Sequence, residues 1–334
     1  MNKIILIPDR VKNNTEIEDK IFGSGYQIIT QNKNDAKQIP DDIWQSADAI
    51  LAWHEINYDA DLISKLHNCK VIVRVGVGFD NVDLDSANKK DIVVCNVPDY
   101  GTNDVADHAM ALLLGFNRGT TAYDREIRSN RSWEWGSIPT LNRLSGSTLG
   151  IIGLGRIGLA LSIRARMFGL IIHFYDPYLS HGIDKIFGYQ RHMNLFEMIR
   201  LCDNISFHTP LTNETYHLAD DEFFSNIKKG AVIINTARGK IISIDSLYKA
   251  VKENIVKAAG LDVLENEPPD YNHPLISAWM NKDPWIINRL IITPHAAFYN
   301  TESYVEMRRK AALEARHVLE GKEPKNCVNK SFLK

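Results

Sequence analysis

Short runs of β-branched and other apolar residues alternate along the chain with segments whose apolar residues recur at helical spacing. This alternation is typical of parallel strands joined by crossover helices, so it predicts an α/β fold. A first series of strands is predicted at 3–8, 26–30, 49–53, 71–75 and 92–97. A second series is predicted at 149–153, 170–176, 204–209, 231–237, 258–263 and 290–295. The pattern therefore predicts two sheets.

Two long helical segments stand outside this alternation. Residues 105–118 are apolar on most faces, which predicts a buried helix. Residues 301–320 are rich in Glu, Arg and Ala and have no strands of their own, so we expect them to pack on the first domain. A length of 334 residues also favours two domains.

Composition narrows the class of protein. Apolar residues at 44% and charged residues at 24% are values typical of globular proteins. A net charge of -2 gives no basic field for nucleic acid, so no direct nucleic-acid partner is expected. No run approaches 18 apolar residues, and the apolar run in MNKIILIPDR is too short for a signal peptide. We therefore expect no membrane segment.

The four cysteines, Cys69, Cys95, Cys202 and Cys327, show neither C-x-x-C spacing nor close grouping. A disulfide framework or a zinc site would require such grouping. The sequence therefore predicts free thiols, a reducing cytoplasm and no metal site.

A glycine-rich turn follows the first strand of the second series. Gly153, Gly155 and Gly158 form G-x-G-x-x-G between a strand and a predicted helix at 156–168, and the next strand ends in Asp176. In a βαβ dinucleotide site the glycines allow a tight turn and close approach of the pyrophosphate, while an acidic side chain accepts from the ribose. The alternative is a simple turn with a solvated Asp. Because Pro177 and Tyr178 supply no Arg for a 2′-phosphate, NAD(H) is favoured over NADP(H).

Polar side chains close four later strands: His208 with Thr209, Thr236 with Arg238, Asp262, and His295. In open α/β sheets ligands bind beyond the carboxyl ends of the strands, so these residues indicate one crevice. Taken singly, each has an ordinary alternative: Arg238 can form a surface salt bridge, and a lone His is often structural. Glu267, in the acidic segment ENEPP, is either solvated or close enough to His295 to favour its imidazolium.

GLGRIG with Asp176, NTARGK, LDVLENEPP and TPHAA occur in an order and spacing that resemble the D-2-hydroxyacid dehydrogenase family over essentially the whole chain. Within that family RVGVGFDNVDLDSA, VCNVPDYGT, FYDPYLS, PHAAFY and NCVNKSFL are similar to the C-terminal-binding protein branch. The resemblance implies an NAD-dependent oxidoreductase that transfers a hydride between the nicotinamide and a small D-2-hydroxy acid or 2-keto acid.

The resemblance also assigns roles to residues. Arg238 would bind the substrate's carboxylate and carbonyl, His295 would be the acid and base, and Glu267 would support His295. The implied cofactor-binding residues are Gly153, Gly155, Arg156, Ile157, Gly158, Asp176, Thr209, Pro210, Thr215, Thr236, Ala237, Asp262 and His295. The implied substrate-binding residues are Arg74, Val75, Gly76, Val77, Gly78, Arg238 and Phe298.

The architecture implied by the resemblance is two doubly wound Rossmann-like domains, with the nucleotide-binding domain inserted into a flavodoxin-like substrate domain. The substrate domain would comprise 1–100 and 299–334, and the NAD-binding domain 101–298. A helix and arm at 103–146, with Trp133 and Trp135, would make a homodimer. The alternative for the arm is a loop packed on its own subunit.

Two differences from the C-terminal-binding protein branch bear on function. Phe298 stands where the C-terminal-binding proteins carry a Trp, and the sequence ends at Lys334 without the extended tail of the animal corepressors, which points away from regulation. Two alternatives stay open beside a cytoplasmic dehydrogenase. One is an NADH-sensing, corepressor-like interaction protein. The other is a reductase for a phosphorylated or phosphonylated keto acid, with Arg74 as the anion partner.

Overall fold

The computed structural model describes residues 2–12, 14–138 and 141–329. The chain forms two compact units, one containing the residues up to Gly101 and from Tyr299 onward, and the other Thr102–Phe298. Residues 139 and 140 of the expected arm, and 330–334 of the expected substrate domain and of the NCVNKSFL resemblance, lie outside the described residues.

Within the described ranges the strands are short and parallel. They are β1 Lys3–Ile7, β2 Tyr26–Thr30, β3 Ala49–Ala52, β4 Val71–Arg74, β5 Val93–Cys95, β6 Thr148–Ile152, β7 Ile171–Tyr175, β8 Gln190–His192, β9 Asn204–Phe207, β10 Ala231–Asn235, β11 Val256–Leu261 and β12 Leu290–Ile292.

The helices alternate with these strands. They are α1 Glu16–Phe22, α2 Asp41–Ser46, α3 Ala60–Ser64, α4 Leu84–Lys89, α5 Thr102–Arg118, α6 Thr120–Asn130, α7 Arg156–Met167, α8 Ile183–Phe187, α9 Leu195–Ile199, α10 Asp221–Asn226, α11 Ile244–Lys252, α12 Pro274–Asn281 and α13 Thr301–Leu319. None of these helices is both long enough and apolar enough to cross a bilayer.

The first unit is built on a five-stranded sheet in the order β2-β1-β3-β4-β5, the order of flavodoxin-like folds. Strands β3, β4 and β5 are buried on both faces, which explains why they consist mainly of Val, Ile, Leu and Ala. Beside the sheet, Trp44 of α2 and Tyr58 meet edge to face in a core that also contains Leu6 and Ile72. Helices α1 and α13 pack on each other, and α13 also covers β3 and β4.

A buried ion pair joins α1 to α13. The Nε atom of Arg308 donates to Oε1 of Glu18 at 2.7 Å, and its second nitrogen donates to Oε2 at 2.5 Å. Both side chains are almost fully buried. This two-pronged contact therefore fixes the C-terminal helix to the N-terminal half of the first unit.

The second unit has a seven-stranded parallel sheet in the order β12-β11-β10-β9-β6-β7-β8. The strand order reverses between β6 and β9, which is the switch point of a doubly wound sheet. Helices α5 and α7 pack together beside the core that contains Leu113 and Phe174, and a second core joins Leu247 of α11 to Phe207 and Phe223. The predicted α/β class, with two doubly wound sheets, is confirmed.

Several elements differ from the pattern of the sequence. Strand β8 was not predicted because Gln190–His192 is polar and lies at the sheet edge, where no apolar run is needed. Helix α5 begins three residues before the apolar run, at Thr102. The expected arm contains α6, which Gly119 separates from α5 by adopting a left-handed backbone with φ +64°.

Replacing Glu18 by Ala should destabilise the first unit by about 3–5 kcal/mol, because Arg308 would remain buried without its carboxylate partner. The measurement is the free energy of unfolding in urea. Lys65→Ala is the matched control: it removes an exposed ion pair with Asp41 and should cost less than about 1 kcal/mol. A Glu18→Ala protein as stable as the control would show that the buried pair does not hold α13.

Candidate functional site

The glycine turn between β6 and α7 has the close contacts that its sequence predicts. Gly153 has φ +88°, and a side chain there would approach the backbone carbonyl carbon of His208 to 2.9 Å. A side chain on Gly158 would overlap the carbonyl oxygen of Gly153. By contrast, a Cβ on Gly155 would meet no atom within 4 Å, so the space beside the N-terminus of α7 is open. That open space at a twelve-residue helix fits a pyrophosphate.

Asp176 follows β7 and is fixed at the edge of this turn. Its Oδ2 accepts from the Leu154 amide and its Oδ1 from the Tyr178 amide, both at 3.0 Å. The Tyr178 hydroxyl donates to the Glu214 carboxylate, which brings a second acid to the same loop. This arrangement fits a ribose with free hydroxyls and disfavours an added phosphate.

Arg191 of β8 is a residue that the sequence reasoning missed. Its guanidinium donates to the carbonyl oxygens of Asp176 at 3.2 Å, Leu179 at 2.7 Å and Ser180 at 3.1 Å. The side chain therefore holds the loop that carries Asp176. Because β8 was not predicted, nothing in the sequence placed this Arg near that loop.

Two buried threonine hydroxyls lie at the ends of neighbouring strands. The Oγ1 atoms of Thr209, after β9, and Thr236, after β10, have no hydrogen-bond partner among the described residues. Buried hydroxyls normally have partners, so both atoms fit a ligand that supplies them. Thr215, also expected at the cofactor, instead closes its own loop by donating to the Pro210 carbonyl oxygen at 2.6 Å.

Asp262, at the end of β11, has its carboxylate inside the protein. Oδ1 accepts from the Thr293 hydroxyl at 2.5 Å and from the Ala296 amide at 2.9 Å, and Oδ2 accepts from the Ala297 amide at 2.9 Å. His108 of α5, which the sequence reasoning also missed, lies 2.9 Å from the same hydroxyl. These contacts fasten the turn after β12 to the end of β11.

His295 lies in the middle of that turn. Its backbone has φ +52°, a left-handed conformation that non-glycine residues seldom adopt, and its amide donates to the Asp262 carbonyl oxygen at 2.8 Å. The Nδ1 atom of the ring lies 2.6 Å from Oε2 of Glu267. The Phe298 ring lies 6.4 Å from the imidazole, centre to centre, edge to face.

The predicted contact between Glu267 and His295 is therefore present. Burial acts to raise the pKa of Glu267, but the hydrogen bond and charge of His295, the Leu264 amide at 3.1 Å and the charge of Arg238 lower it. The carboxylate is thus ionised at neutral pH. An ionised carboxylate can accept a hydrogen bond from Nδ1, which leaves Nε2 available to exchange a proton.

Arg238 lies near Glu267 and His295 because its turn makes a close backbone contact. Asn235, at the end of β10, accepts from the Ala237 amide and donates to the Arg238 carbonyl oxygen, which fixes the turn. A side chain on Gly239 would overlap the backbone of Leu264, so this turn lies directly against the segment that leads to Glu267. The structure thus groups Arg238, Glu267 and His295.

His208 does not join this group. Its Nε2 lies 2.8 Å from the Ser206 hydroxyl, and burial lowers the pKa of the ring to about 3. The ring therefore stays neutral at physiological pH. The polar residue that closes β9 is therefore part of the packing.

In the first unit, the loop after β4 carries the expected substrate residues. The carbonyl oxygens of Val75, Gly76 and Val77 accept from Arg74 at 2.6 Å, from the Val97 amide at 2.9 Å and from Asn96 at 2.7 Å. The carbonyl oxygens therefore point into the unit. Arg74 is 5% exposed, so it is neither a surface residue nor an open anion site.

Asp9, two residues after β1, supports the end of the neighbouring strand β3. It is fully buried and accepts from the Trp53 amide at 3.1 Å and the Glu55 amide at 3.3 Å. Burial and the nearby Glu55 charge raise its pKa to about 7, against the opposing effects of these hydrogen bonds and of Arg74. The sequence showed this Asp only as the end of a strand.

Comparison with known proteins gives one family. The model of the D-isomer specific 2-hydroxyacid dehydrogenase NAD-binding domain matches residues 110–297. A glyoxylate reductase of Thermofilum pendens is 35% identical over 290 residues, which are 86% of this chain and 83% of the relative.

Solved structures with similar folds include two with bound cofactors. D-Lactate dehydrogenase from Aquifex aeolicus, complexed with NAD and lactic acid, has a TM-score of 0.85 and 27% identity over 97% of this chain and 99% of that one. NADPH-dependent glyoxylate/hydroxypyruvate reductase from Sinorhizobium meliloti, with NADP and malonate, has a TM-score of 0.84 and 26% identity over 98% and 97% of the two chains.

Replacing Gly158 by Ala should abolish NADH binding, because the new methyl group would push the Gly153 carbonyl out of the turn. Gly155→Ala is the matched control for the fold: its methyl group meets no protein atom, so the variant should fold normally and lose affinity only by crowding the bound pyrophosphate. Quenching of tryptophan fluorescence by NADH measures both. Wild-type affinity in the Gly158→Ala protein would rule out this turn as the cofactor site.

Proposed function

This chain belongs to the D-isomer specific 2-hydroxyacid dehydrogenases, oxidoreductases that act on CH–OH donors with a nicotinamide cofactor, and we propose that it interconverts a small 2-keto acid and its D-2-hydroxy acid. The observation that carries the proposal is the 2.6 Å contact between Glu267 and His295, with the charge of Arg238 acting on the same carboxylate. The relatives named as glyoxylate reductases favour glyoxylate and compounds of similar size as substrates.

In the proposed mechanism, three side chains and the cofactor have separate roles. When bound, the nicotinamide supplies or accepts the hydride. Arg238 binds the substrate's carboxylate and polarises the carbonyl with its planar donor groups. His295 gives a proton from Nε2 to the carbonyl oxygen in reduction and takes it back in oxidation, while Glu267 holds Nδ1. Phe298, beside the imidazole, is proposed to line the substrate pocket.

We also propose which residues bind the cofactor. We propose that Gly155, Arg156 and Ile157 hold the pyrophosphate and that Asp176 accepts from the adenosine ribose. Two acids, Asp176 on this loop and Glu214 in contact with its Tyr178, support a preference for NAD(H) over NADP(H), and Arg191 is engaged with loop carbonyl oxygens. The hydroxyls of Thr209 and Thr236 are proposed as further partners.

The backbone of Val75, Gly76, Val77 and Gly78 is proposed as a substrate-binding segment of the first unit. Arg74 positions that loop rather than facing a phosphate, since it is buried and donates to the loop's own carbonyl oxygen. This geometry does not favour a phosphorylated or phosphonylated substrate.

A cytoplasmic homodimer stays part of the proposal. All four cysteines are free thiols, as expected for a reducing compartment. Trp133 and Trp135, in the segment after α6, are 85% and 87% exposed, and exposed tryptophans in one segment support a partner surface there.

Replacing Arg238 by Ala should lower kcat/KM for every 2-keto acid by at least about 100-fold, because the developing oxyanion loses its preorganised cation. Arg238→Lys is the matched control: it keeps the charge without the planar pair of donors and should retain part of the activity. Steady-state oxidation of NADH measures both, with NADH affinity checked separately. An Arg238→Ala enzyme with unchanged kcat/KM across a broad panel would overturn the proposal.

Reduction should slow as pH rises and oxidation should speed up, because reduction consumes the imidazolium proton and oxidation needs the neutral ring. The pKa of Glu267 is lowered, so the carboxylate supports the imidazolium at neutral pH and loses this role only in acid. Glu267→Gln should therefore lower kcat/KM for reduction at neutral pH, because a neutral amide holds the Nδ1 proton less strongly than a carboxylate does. Profiles of kcat/KM in both directions test this. Identical profiles for the two directions would remove His295 as the proton carrier.

A further inference from the structure

Two cysteines that are far apart in the sequence are cross-strand neighbours in the first unit. Cys95, the last residue of β5, forms an antiparallel bridge with Cys327. The Val328 amide donates to the Val94 carbonyl oxygen at 2.9 Å, and the Asn96 amide donates to the Asn326 carbonyl oxygen at 3.2 Å. The hydrogen bonds thus flank the pair, which makes it a non-hydrogen-bonded pair. In such pairs the Cα atoms are about 4.5 Å apart, within the range that a disulfide spans.

The two thiols are in contact but differ in their surroundings. Cys95 is fully buried, and the Glu314 carboxylate and Cys327 are close enough to act on its thiol. Burial, together with that carboxylate and Cys327, raises the pKa of the Cys95 thiol strongly. Cys327 is partly exposed, and its thiol donates to Oδ1 of Asn329 at 3.2 Å. A solvent-borne oxidant therefore reaches Cys327 first.

Glu314 is fixed beside this pair. It is 4% exposed, and its Oε1 accepts from the Lys325 amide at 2.6 Å and the Asn326 amide at 2.8 Å. The carboxylate therefore holds the backbone that carries Cys327 and lies close enough to act on the Cys95 thiol. It is placed to take the proton that Cys95 must lose before its sulfur can attack.

We propose that Cys95 and Cys327 form a reversible disulfide when the protein meets a peroxide. The Cys327 thiolate attacks the peroxide: an S–O bond forms, the O–O bond breaks, the sulfur is oxidised to a sulfenic acid, and one oxygen leaves as water or, from an organic peroxide, as an alcohol. Cys95 then attacks that sulfur. An S–S bond forms, the S–O bond breaks, and the Cys95 proton passes through Glu314 to the departing hydroxide, which leaves as water.

The overall reaction balances in atoms and electrons. With hydrogen peroxide, two thiols and one peroxide give one disulfide and two waters. Two molecules of a low-molecular-weight thiol return the pair to the reduced state by exchange, with formation of their own disulfide. The sequence's free thiols and this modification are compatible, because intracellular disulfides are commonly transient.

The bridge would lie next to the loop that the proposed function assigns to the substrate. Asn96 follows Cys95 and donates to the Val77 carbonyl oxygen, and the Val97 amide donates to that of Gly76. A disulfide draws the two Cβ atoms closer than in an ordinary cross-strand pair, so it should shift this backbone. The consequence for turnover rests on the proposed function, whereas the disulfide itself does not.

The first test is chemical. The full chain is treated with hydrogen peroxide, unreacted thiols are alkylated, and the protein is digested without reductant for mass spectrometry. We expect one linked pair of peptides containing Cys95 and Cys327, which disappears after dithiothreitol. Cys327→Ser should abolish the linked pair, and Cys202→Ala, a matched variant of a buried cysteine in the second unit, should retain it.

The same samples give a stability readout. Because the bridge closes a long loop, oxidation should raise the Tm of the wild type and of the Cys202→Ala protein by several degrees and leave Cys327→Ser unchanged. A sulfinic acid on Cys327 with no linked peptide, or links formed equally with Cys69, would overturn the proposal.

The second test is kinetic and separates the proposed disulfide, with its effect on turnover, from the proposed function. Oxidised wild type should show a KM for the 2-keto acid at least about threefold higher than the reduced protein, with unchanged NADH affinity, and Cys327→Ser should show no difference. A linked peptide without a change in KM would overturn the coupling to the substrate loop. No turnover in either redox state would count against the proposed function and leave the linked peptide as the test of the disulfide.

Discussion

The buried carboxylate of Asp262 is the constraint on which the candidate active site depends. Three donors from the turn after β12, a hydroxyl and two backbone amides, converge on its two oxygens. Left-handed backbone geometry costs a non-glycine residue free energy. His295 adopts this geometry in a turn that these hydrogen bonds hold in place. In this turn the imidazole contacts Glu267 through Nδ1. The resemblance implies that Asp262 binds the cofactor, and its bonds in the structure also make it the residue that positions His295.

The parallel sheets determine where the chemistry collects. All the strands of the second unit run in one direction, so the residues that follow β6, β9, β10 and β11 share one edge. This edge receives the glycine turn, the two threonine hydroxyls that lack partners among the described residues, and the turn that carries Arg238. Position 239 must be a glycine, because a side chain there would prevent this turn from lying against Leu264.

Much of this organisation follows from the sequence, for physical reasons that differ by element. Buried parallel strands must be apolar, so eleven of the strands stood out, whereas the polar edge strand Gln190–His192 did not. The motifs identified Arg238, Glu267 and His295, but the sequence could not show that Glu267 reaches His295. Contacts made by one long side chain across strands, such as those of Arg191, leave no local pattern.

The cysteines illustrate the same limit. Spacing along the chain separates Cys95 from Cys327, and only the return of the C-terminal segment to β5 makes them neighbours. Likewise Glu18 and Arg308 are ordinary surface-type residues in the sequence, yet they form a buried pair because α13 returns to α1. Long-range returns of the chain decide these contacts, and local pattern carries no information about them.

The central claim is that this edge of the second unit supports transfer of a hydride to the C2 carbon of a 2-keto acid. The most direct measurement is a single turnover with NADH deuterated at C4 of the nicotinamide and a 2-keto acid panel that includes glyoxylate and pyruvate. The account predicts deuterium at C2 of the 2-hydroxy acid, with the D configuration wherever C2 is a stereocentre. Tight binding of NADH with no labelled product from any keto acid, or a product labelled in the L configuration, would contradict it.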